Sequence, residues 1–156
     1  VITTFPKATM VDSINRKIIS ELQKNARISY AELGKKVHLS APAVAERIRK
    51  LEQAGVITGY ALKVDLDKLG YPIVALVQCK VYQTKERAFK ALLLNCDEVI
   101  ECLNVTGEQA FLVKLAVESM AQLDAILESF IDMSDTNTMM ILSTPVERVV
   151  PATFSS

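Results

Sequence analysis

The stretch Ser40-Ala-Pro-Ala-Val-Ala-Glu-Arg-Ile-Arg-Lys-Leu-Glu-Gln-Ala-Gly55 constrains this chain more than any other. Ser40 can accept a hydrogen bond from a backbone N–H two or three residues on, and so cap a helix. Pro42 falls in the first turn, where a missing N–H leaves no bond unmade. Val44, Ile48 and Leu51 recur at i, i+4 and i+7 as one apolar stripe, and Gly55 is a stop signal. At about 100° per residue, Ala43, Glu46, Arg49, Lys50 and Gln53 fall on the opposite face, with Arg47 on the flank. The spacing predicts a short helix with one buried face and a small, polar, cationic face outward. Taken alone, that describes many solvated amphipathic helices. The sequence on either side favours a helix lying in a DNA groove.

The segment before it supplies two more helices. Asp12 can cap the first, whose stripe is Ile14, Ile18, Ile19 and Leu22, with Arg16, Lys17 and Lys24 outside it. Ser29-Tyr-Ala-Glu32 matches a capping box opening the second, in which Leu33 and Val37 face inward. Gly34, near its centre, either weakens the helix or lets a neighbouring helix approach closely. A tight turn, Val37-His-Leu39, leads to Ser40. Two helices joined by such a turn form the helix-turn-helix pattern. After Gly55, β-branched and aromatic residues alternate around Gly59 up to Val64, which predicts a hairpin and hence a winged helix.

Charge divides the chain at about the same place. The net charge is zero, yet residues 1–63 carry eleven Lys or Arg against five Asp or Glu, a net of +6, and residues 64–156 balance this with −6. The first part suits a polyanion and the second does not. Gly70 and Pro72 mark the boundary, so the expected domains are 10–63, a linker 64–71, and 72–150. Val1–Thr9 differs in character, and Met10 reads as the natural start.

Beyond Pro72 the pattern changes. Strands are expected over Ile73–Tyr82, Val99–Val105, Phe111–Val117 and Thr136–Val146. Helices are expected over Lys85–Cys96, with Ala88, Phe89, Leu92 and Leu93 inward, and after a second capping box, Ser119-Met-Ala-Gln122. The latter's stripe is Leu123, Ile126, Leu127 and Phe130. The order β-α-β-β-α-β is the split βαβ unit of ferredoxin-like folds. The fold class is therefore α+β, a winged helix-turn-helix followed by a ferredoxin-like sheet. One sheet face is covered by helices, and the other is left for a second copy to bury. From Arg148 onward the sequence carries no signal.

Several classes are disfavoured. No apolar run approaches the ~20 residues that span a bilayer, and no secretory leader is apparent. Three cysteines, Cys79, Cys96 and Cys102, in apolar settings and without C-x-x-C spacing, are expected as core residues of a cytoplasmic protein. His38 is the only histidine and is expected on a loop. There is no nucleophile–base pair, metal-ligand cluster or phosphate loop, so no catalytic, metal or cofactor residue is assigned.

Arg27–Gly34, Leu39–Tyr60 and Val105-Thr-Gly107 closely resemble the Lrp/AsnC, or "feast/famine", transcriptional regulators, the second stretch being long and specific to that family. The resemblance runs from about Asp12 to about Val146. It implies an N-terminal winged helix on double-stranded DNA and a C-terminal domain that oligomerises and binds small effectors, usually amino acids, in clefts between dimers. Homodimers and octamers, as rings of four dimers, are the assemblies it implies. Within it the DNA-contact candidates are Ser29, Tyr30, Lys35, Lys36, Ser40, Ala43, Arg47, Arg49, Lys50 and Thr58. Lys35, Lys36, Lys50 and Ser40 suit phosphates, and Arg47 and Arg49 suit base edges. Glu46 could accept from cytosine or pair with Lys50. The effector candidates are Thr106, Gly107, Glu108, Gln109 and Ala110, with Thr136 and Thr138. The family often has an Asp where Ala110 stands. Either Glu108 substitutes, or the pocket takes a different ligand, or none. Two other functions stay open: an architectural DNA-binding protein without effector, and an amino-acid-binding regulatory subunit of a metabolic enzyme.

Overall fold

A computed structural model describes residues 11–151 and 154; the expectations for Met10 and the residues before it lie outside them. The chain divides into two compact units, one holding residues up to Leu62 with the segment from Val146, the other Lys63–Pro145.

The first unit is three helices, α1 (Ser13–Lys24), α2 (Tyr30–Val37) and α3 (Ala41–Gln53). Each begins where its cap predicts. Asp12 accepts from the Asn15 N–H, Ser40 accepts from the Ala43 N–H, and Ser29 and Glu32 complete a reciprocal capping box around α2. The buried core is Ile18, Leu33, Val37, Val44, Ile48 and Leu51, with Ile14, Ile19, Leu22, Ile28, Leu39 and Ile57 packed around it. The turn into α3 depends on two residues. His38 is exposed and takes the left-handed conformation (φ 57°) that reverses the chain, and Gly34 lies directly beneath it. A Cβ at Gly34 would sit 2.4 Å from the Leu39 carbonyl oxygen. Close approach is the better of the two readings of Gly34, but what approaches is the turn's own backbone and not a neighbouring helix.

The expected wing does not form: among the described residues no strand lies between α3 and Ile73. Val56 and Ile57 both give their N–H groups to the Leu51 carbonyl across left-handed Gly55, and Ile57 joins the helical core. The apolar alternation there serves helix closure. From Thr58 to Val64 the chain is irregular, with Tyr60, Leu62 and Val64 exposed. The linker contains a short 3₁₀ turn at Asp67–Leu69, closed by Gly70 at φ 93°.

The second unit comprises β1 (Ile73–Val81), α4 (Glu86–Leu94), β2 (Val99–Asn104), β3 (Phe111–Val117), α5 (Met120–Phe130) and β4 (Ser134–Met140). All pairings are antiparallel and the sheet order is β2-β3-β1-β4, as a split βαβ unit requires. The core lies under the helices, where Phe89 packs edge-on against Phe111 and Phe130 with ring centroids 5.7 and 5.2 Å away. Antiparallel register puts Val77, Val113, Cys102 and Thr138 in one row on that face. Leu76, Lys114, Glu101 and Met139 therefore point the other way, along with Gln78, Leu112 and Leu103.

Four expectations need adjustment. β4 starts at Ser134, opposite Val81, and stops at Met140 instead of Val146, because its partner β1 begins at Ile73 and the ladder runs out. Ala88 is exposed on α4. In the second capping box, the Gln122 side chain accepts from the Glu118 N–H, one residue earlier than expected. Of the three cysteines only Cys79 is fully buried; Cys102 is exposed because β2 is an edge strand. The segment after Arg148, silent in sequence, packs on α1. The Gln23 carboxamide oxygen accepts from the N–H groups of Val149 and Val150 at 2.8 and 2.7 Å, and Arg16 lies over the Phe154 ring.

Candidate nucleic-acid interface

The outward face of α3 carries the surface that the helix-turn-helix presents. Val44, Ile48 and Leu51 are buried, which turns Pro42, Glu46, Arg49, Lys50 and Gln53 to solvent. Ser40 caps the helix at its entry, so its hydroxyl is engaged by the Ala43 N–H at 3.4 Å. Ala43 is half-buried and keeps this end of the helix slender.

The two arginines expected to read bases differ sharply. Arg47 turns back toward α1. Its Nη1 donates to Asp12 Oδ2 at 2.7 Å and to Asn15 Oδ1 at 2.9 Å. The carboxylate that caps α1 thus also anchors α3. The Asn15 N–H and then Arg47 hold the Asp12 carboxyl below its usual range. Arg49 stays on the exposed face, where its Nε donates to Glu46 Oε2 at 2.9 Å and its Nη2 to Glu46 Oε1 at 2.6 Å. Lys50 stands 3.6 Å from the same carboxylate. The Arg49 hydrogen bonds depress the Glu46 carboxyl, and Glu46 in turn raises Arg49.

The other candidates occupy α2 and its flanks. The Ser29 hydroxyl donates to Glu32 Oε2 at 2.9 Å and accepts from the Glu32 N–H, so it is built into the capping box. Lys36 is ion-paired with Glu21, which also holds Lys24 at 2.6 Å. Lys35 is exposed on the last turn of α2. Tyr30 and Thr58 are exposed as well. Tyr60, missed in sequence, donates its hydroxyl to Glu52 Oε1 at 2.9 Å, and burial first, then Glu52, pushes its pKa up to about 12. Its signal was hidden inside the expected hairpin.

In the sheet unit, the predicted effector residues divide. Thr106–Gln109 form the tip of the β2–β3 connection, closed by the Val105 N–H on the Ala110 carbonyl at 2.7 Å. Gly107 has φ 112°, with open space where a Cβ would stand. Glu108 reaches Lys80 of β1 at 3.4 Å, and Lys80 belongs to the bare face. Thr136 and Thr138 lie in register with Cys79 and Val77, so their side chains are on the helix face. Thr136 shares an end of the sheet with the tip, but β1 lies between β3 and β4, a separation of about 10 Å from Phe111. A cleft of about 660 Å³ between α4 and β2, lined by residues that include Lys90, Leu94, Ile100 and Cys102, contains none of the seven. Within the described residues, neither the Thr106–Ala110 turn nor Thr136 and Thr138 line this cleft.

Among the described residues there is no metal-binding cluster of His, Cys, Asp or Glu, and no helix long and apolar enough to cross a membrane. The AsnC-type helix-turn-helix domain matches residues 11–52, and the Lrp/AsnC ligand binding domain matches residues 74–151. The chain belongs to the Lrp/AsnC family of transcriptional regulators. This Lrp/AsnC chain is 34% identical over 133 residues to the HTH-type transcriptional regulator LrpC of Bacillus subtilis, covering 85% of the chain and 92% of that protein. It is similarly 34% identical over 138 residues to the leucine-responsive regulatory protein of Rhizobium meliloti, covering 86% of the chain and 88% of the relative. Among solved structures, Escherichia coli AsnC superposes with a TM-score of 0.78 at 30% identity, over 90% of this chain and 97% of that one. With these relatives named as regulators, the helix-turn-helix is a DNA-binding domain and the chain is a transcriptional regulator of Lrp/AsnC type.

Proposed function

We propose that this regulator binds DNA as a symmetric oligomer through α3 and that an amino acid, held between subunits, shifts the balance among its assemblies. The α3 surface carries the first part. It is a capped helix whose exposed side chains are Glu46, Arg49, Lys50 and Gln53, in a unit with a net excess of bases. Lys35 and Lys50 meet phosphates, and Arg49 reaches base edges; Arg47 sets the orientation of α3 instead of reading. Dimeric copies then meet half-sites separated by whole turns of DNA, ~10 bp or multiples of that.

The bare sheet face supports self-association. Leu76, Leu112, Leu103 and Met139 share it, and a second copy is the simplest cover for such a face. The turn Thr106–Ala110 supports the effector reading. Its backbone N–H groups and hydroxyl suit a carboxylate, its glycine lets a ligand approach closely, and Thr136 and Thr138 come from a neighbouring subunit. Control follows from linkage: an effector shifts the population by no more than its differential affinity for the two assemblies.

Titrating the protein with duplex DNA at several salt concentrations tests the DNA reading. Binding should weaken steeply as salt rises, and binding that ignores salt would refute it. A thermal-shift screen against the twenty amino acids tests the effector reading. A reproducible rise in melting temperature at millimolar ligand is expected. With Ala110 where the family often has Asp, a flat screen would favour an architectural protein without effector.

A further inference from the structure

We propose that Glu46 and Arg49 act as one base-reading unit, in which Glu46 holds one edge of the guanidinium and presents the other to a guanine, so that each copy of the chain demands a G·C pair at one position of its half-site. The inference rests on the reading of α3 as the DNA-contact helix and specifies what that helix reads.

A guanidinium has two forks. The side fork is Nε with Nη2, and the end fork is Nη1 with the second hydrogen of Nη2. Glu46 occupies the side fork, with Oε2 on Nε at 2.9 Å and Oε1 on Nη2 at 2.6 Å. Among the described residues no hydrogen bond engages Nη1. The end fork is the geometry that bonds guanine O6 and N7 together. Glu46 therefore restrains part of the rotamer freedom that Arg49 would otherwise lose on binding, and orients the plane of the group before DNA arrives.

Glu46 also decides what Arg49 avoids. A phosphate is a stronger acceptor than a base edge, and an untethered arginine on a recognition helix will take one. A carboxylate beside the guanidinium repels phosphate oxygens and lowers the local positive field. It therefore weakens sequence-independent binding while leaving the end fork available. Glu46 is a positioning residue here, and Arg49 is the reader. Arg47, two residues away, is turned toward α1 by its bonds to Asp12 and Asn15.

Selection from a pool of duplexes with a randomised core, followed by sequencing, tests this with wild type, Glu46→Gln, Arg49→Lys and Arg47→Ala. The wild type should enrich a two-fold symmetric motif in which guanine is preferred by about ten-fold or more at one position of each half-site. Glu46→Gln and Arg49→Lys should each reduce that preference below about three-fold. Glu46→Gln should bind unselected duplex as tightly as wild type or more so, with a salt dependence steeper by about one phosphate contact. A merely structural Glu46 would not move base preference and salt slope in opposite senses. Both side chains are exposed, so the variants should melt with wild type. If Glu46→Gln keeps the guanine preference, or only Arg47→Ala loses it, the inference is overturned while DNA binding stands. If the wild type shows no salt-sensitive binding to the pool, the DNA-binding reading itself falls.

Discussion

Two turns of this protein use the same backbone device and differ in what surrounds them. Val37–Ser40 and Thr106–Ala110 each reverse the chain through one residue at positive φ, His38 at 57° and Gly107 at 112°. The first is crowded: Gly34 packs against the Leu39 carbonyl so closely that no side chain fits between them. The second is open, with nothing near the missing Cβ of Gly107. The contrast extends to the units. Between α2 and α3 the helical unit has completed its packing, its caps and its ion pairs within one chain. The sheet unit has completed only its helix-covered face. The first therefore carries its exposed α3 face on a fully packed core, whereas the second leaves Leu76, Leu112, Leu103 and Met139 on a face that its own helices do not cover.

Gly34→Ala attacks the crowded turn and should have the largest effect. Its Cβ would collide with backbone, and overpacking of that kind costs about 3 kcal/mol. Chemical denaturation should show the loss, and DNA affinity should fall with it. If Gly34→Ala melts like wild type, the turn is less constrained than its geometry implies.

Leu76→Asp tests whether the sheet unit is unfinished alone. Placing a charge on the bare face should weaken self-association about a hundred-fold, or about 2.7 kcal/mol, by analytical ultracentrifugation. The fold should survive, since Leu76 lies outside the buried core. An unchanged association state would show that copies meet elsewhere.

Arg47→Ala sharpens the difference between a structural and a reading arginine. It removes a partly exposed ion pair to Asp12 and a hydrogen bond to Asn15, with an expected loss of about 1 kcal/mol in stability. Affinity should fall evenly across DNA sequences. A loss confined to one base position would restore Arg47 as a reader.

Gly107→Ala should be milder for folding than its counterpart at Gly34. No atom obstructs the methyl group, so only backbone strain remains, about 1 kcal/mol. Response to an amino acid should decline more than stability does, which thermal shifts with and without ligand would separate.

The smallest effect concerns acid. Asp12, Glu21, Glu32 and Glu46 in the helical unit all have lowered pKa values, caused first by the Asn15 N–H, Lys24, the Ser29 hydroxyl and Arg49 respectively. In the sheet unit Glu98 is lowered, chiefly by a backbone hydrogen bond. A carboxyl with a depressed folded pKa stabilises above its unfolded value, and that contribution disappears as pH falls through the folded one. Below about pH 4, amide hydrogen exchange should therefore rise in α1–α3 before it rises in β1–β4. Simultaneous loss would mean these pairs contribute little at the surface.

Local chemistry made much of the fold legible. Caps at Asp12, Ser29, Ser40 and Ser119 name their helices because each satisfies donors within three residues. The period of two in β3 and the stripe in α5 follow from the same near-neighbour geometry. The places where local reading went astray involve distant partners. The stretch after Gly55 has strand-like alternation, but the Leu51 carbonyl and the helical core claim its first residues. β4 ends opposite the start of β1, sixty-odd residues earlier in the chain. Cys102 resembles a core residue until the sheet order puts β2 at an edge.

The candidate site follows the same division. Helical periodicity alone placed Glu46, Arg49 and Lys50 on the outward face of α3, because a helix with a buried stripe has only one opposite side. Periodicity could not distinguish Arg47 from Arg49. Arg47 lies on the flank, where a long side chain can turn toward DNA or toward α1. In this structure Asp12, thirty-five residues away, draws it toward α1. Sequence by itself determined the helix-turn-helix, the βαββαβ order and the charge division, all carried by residues within a few positions of one another. Tertiary structure alone decided which arginine is an anchor, which cations are already paired, and that Thr136 and the Gly107 turn stay apart within one chain. Those outcomes depend on what a side chain can reach across the fold, and reach is set by packing between distant segments.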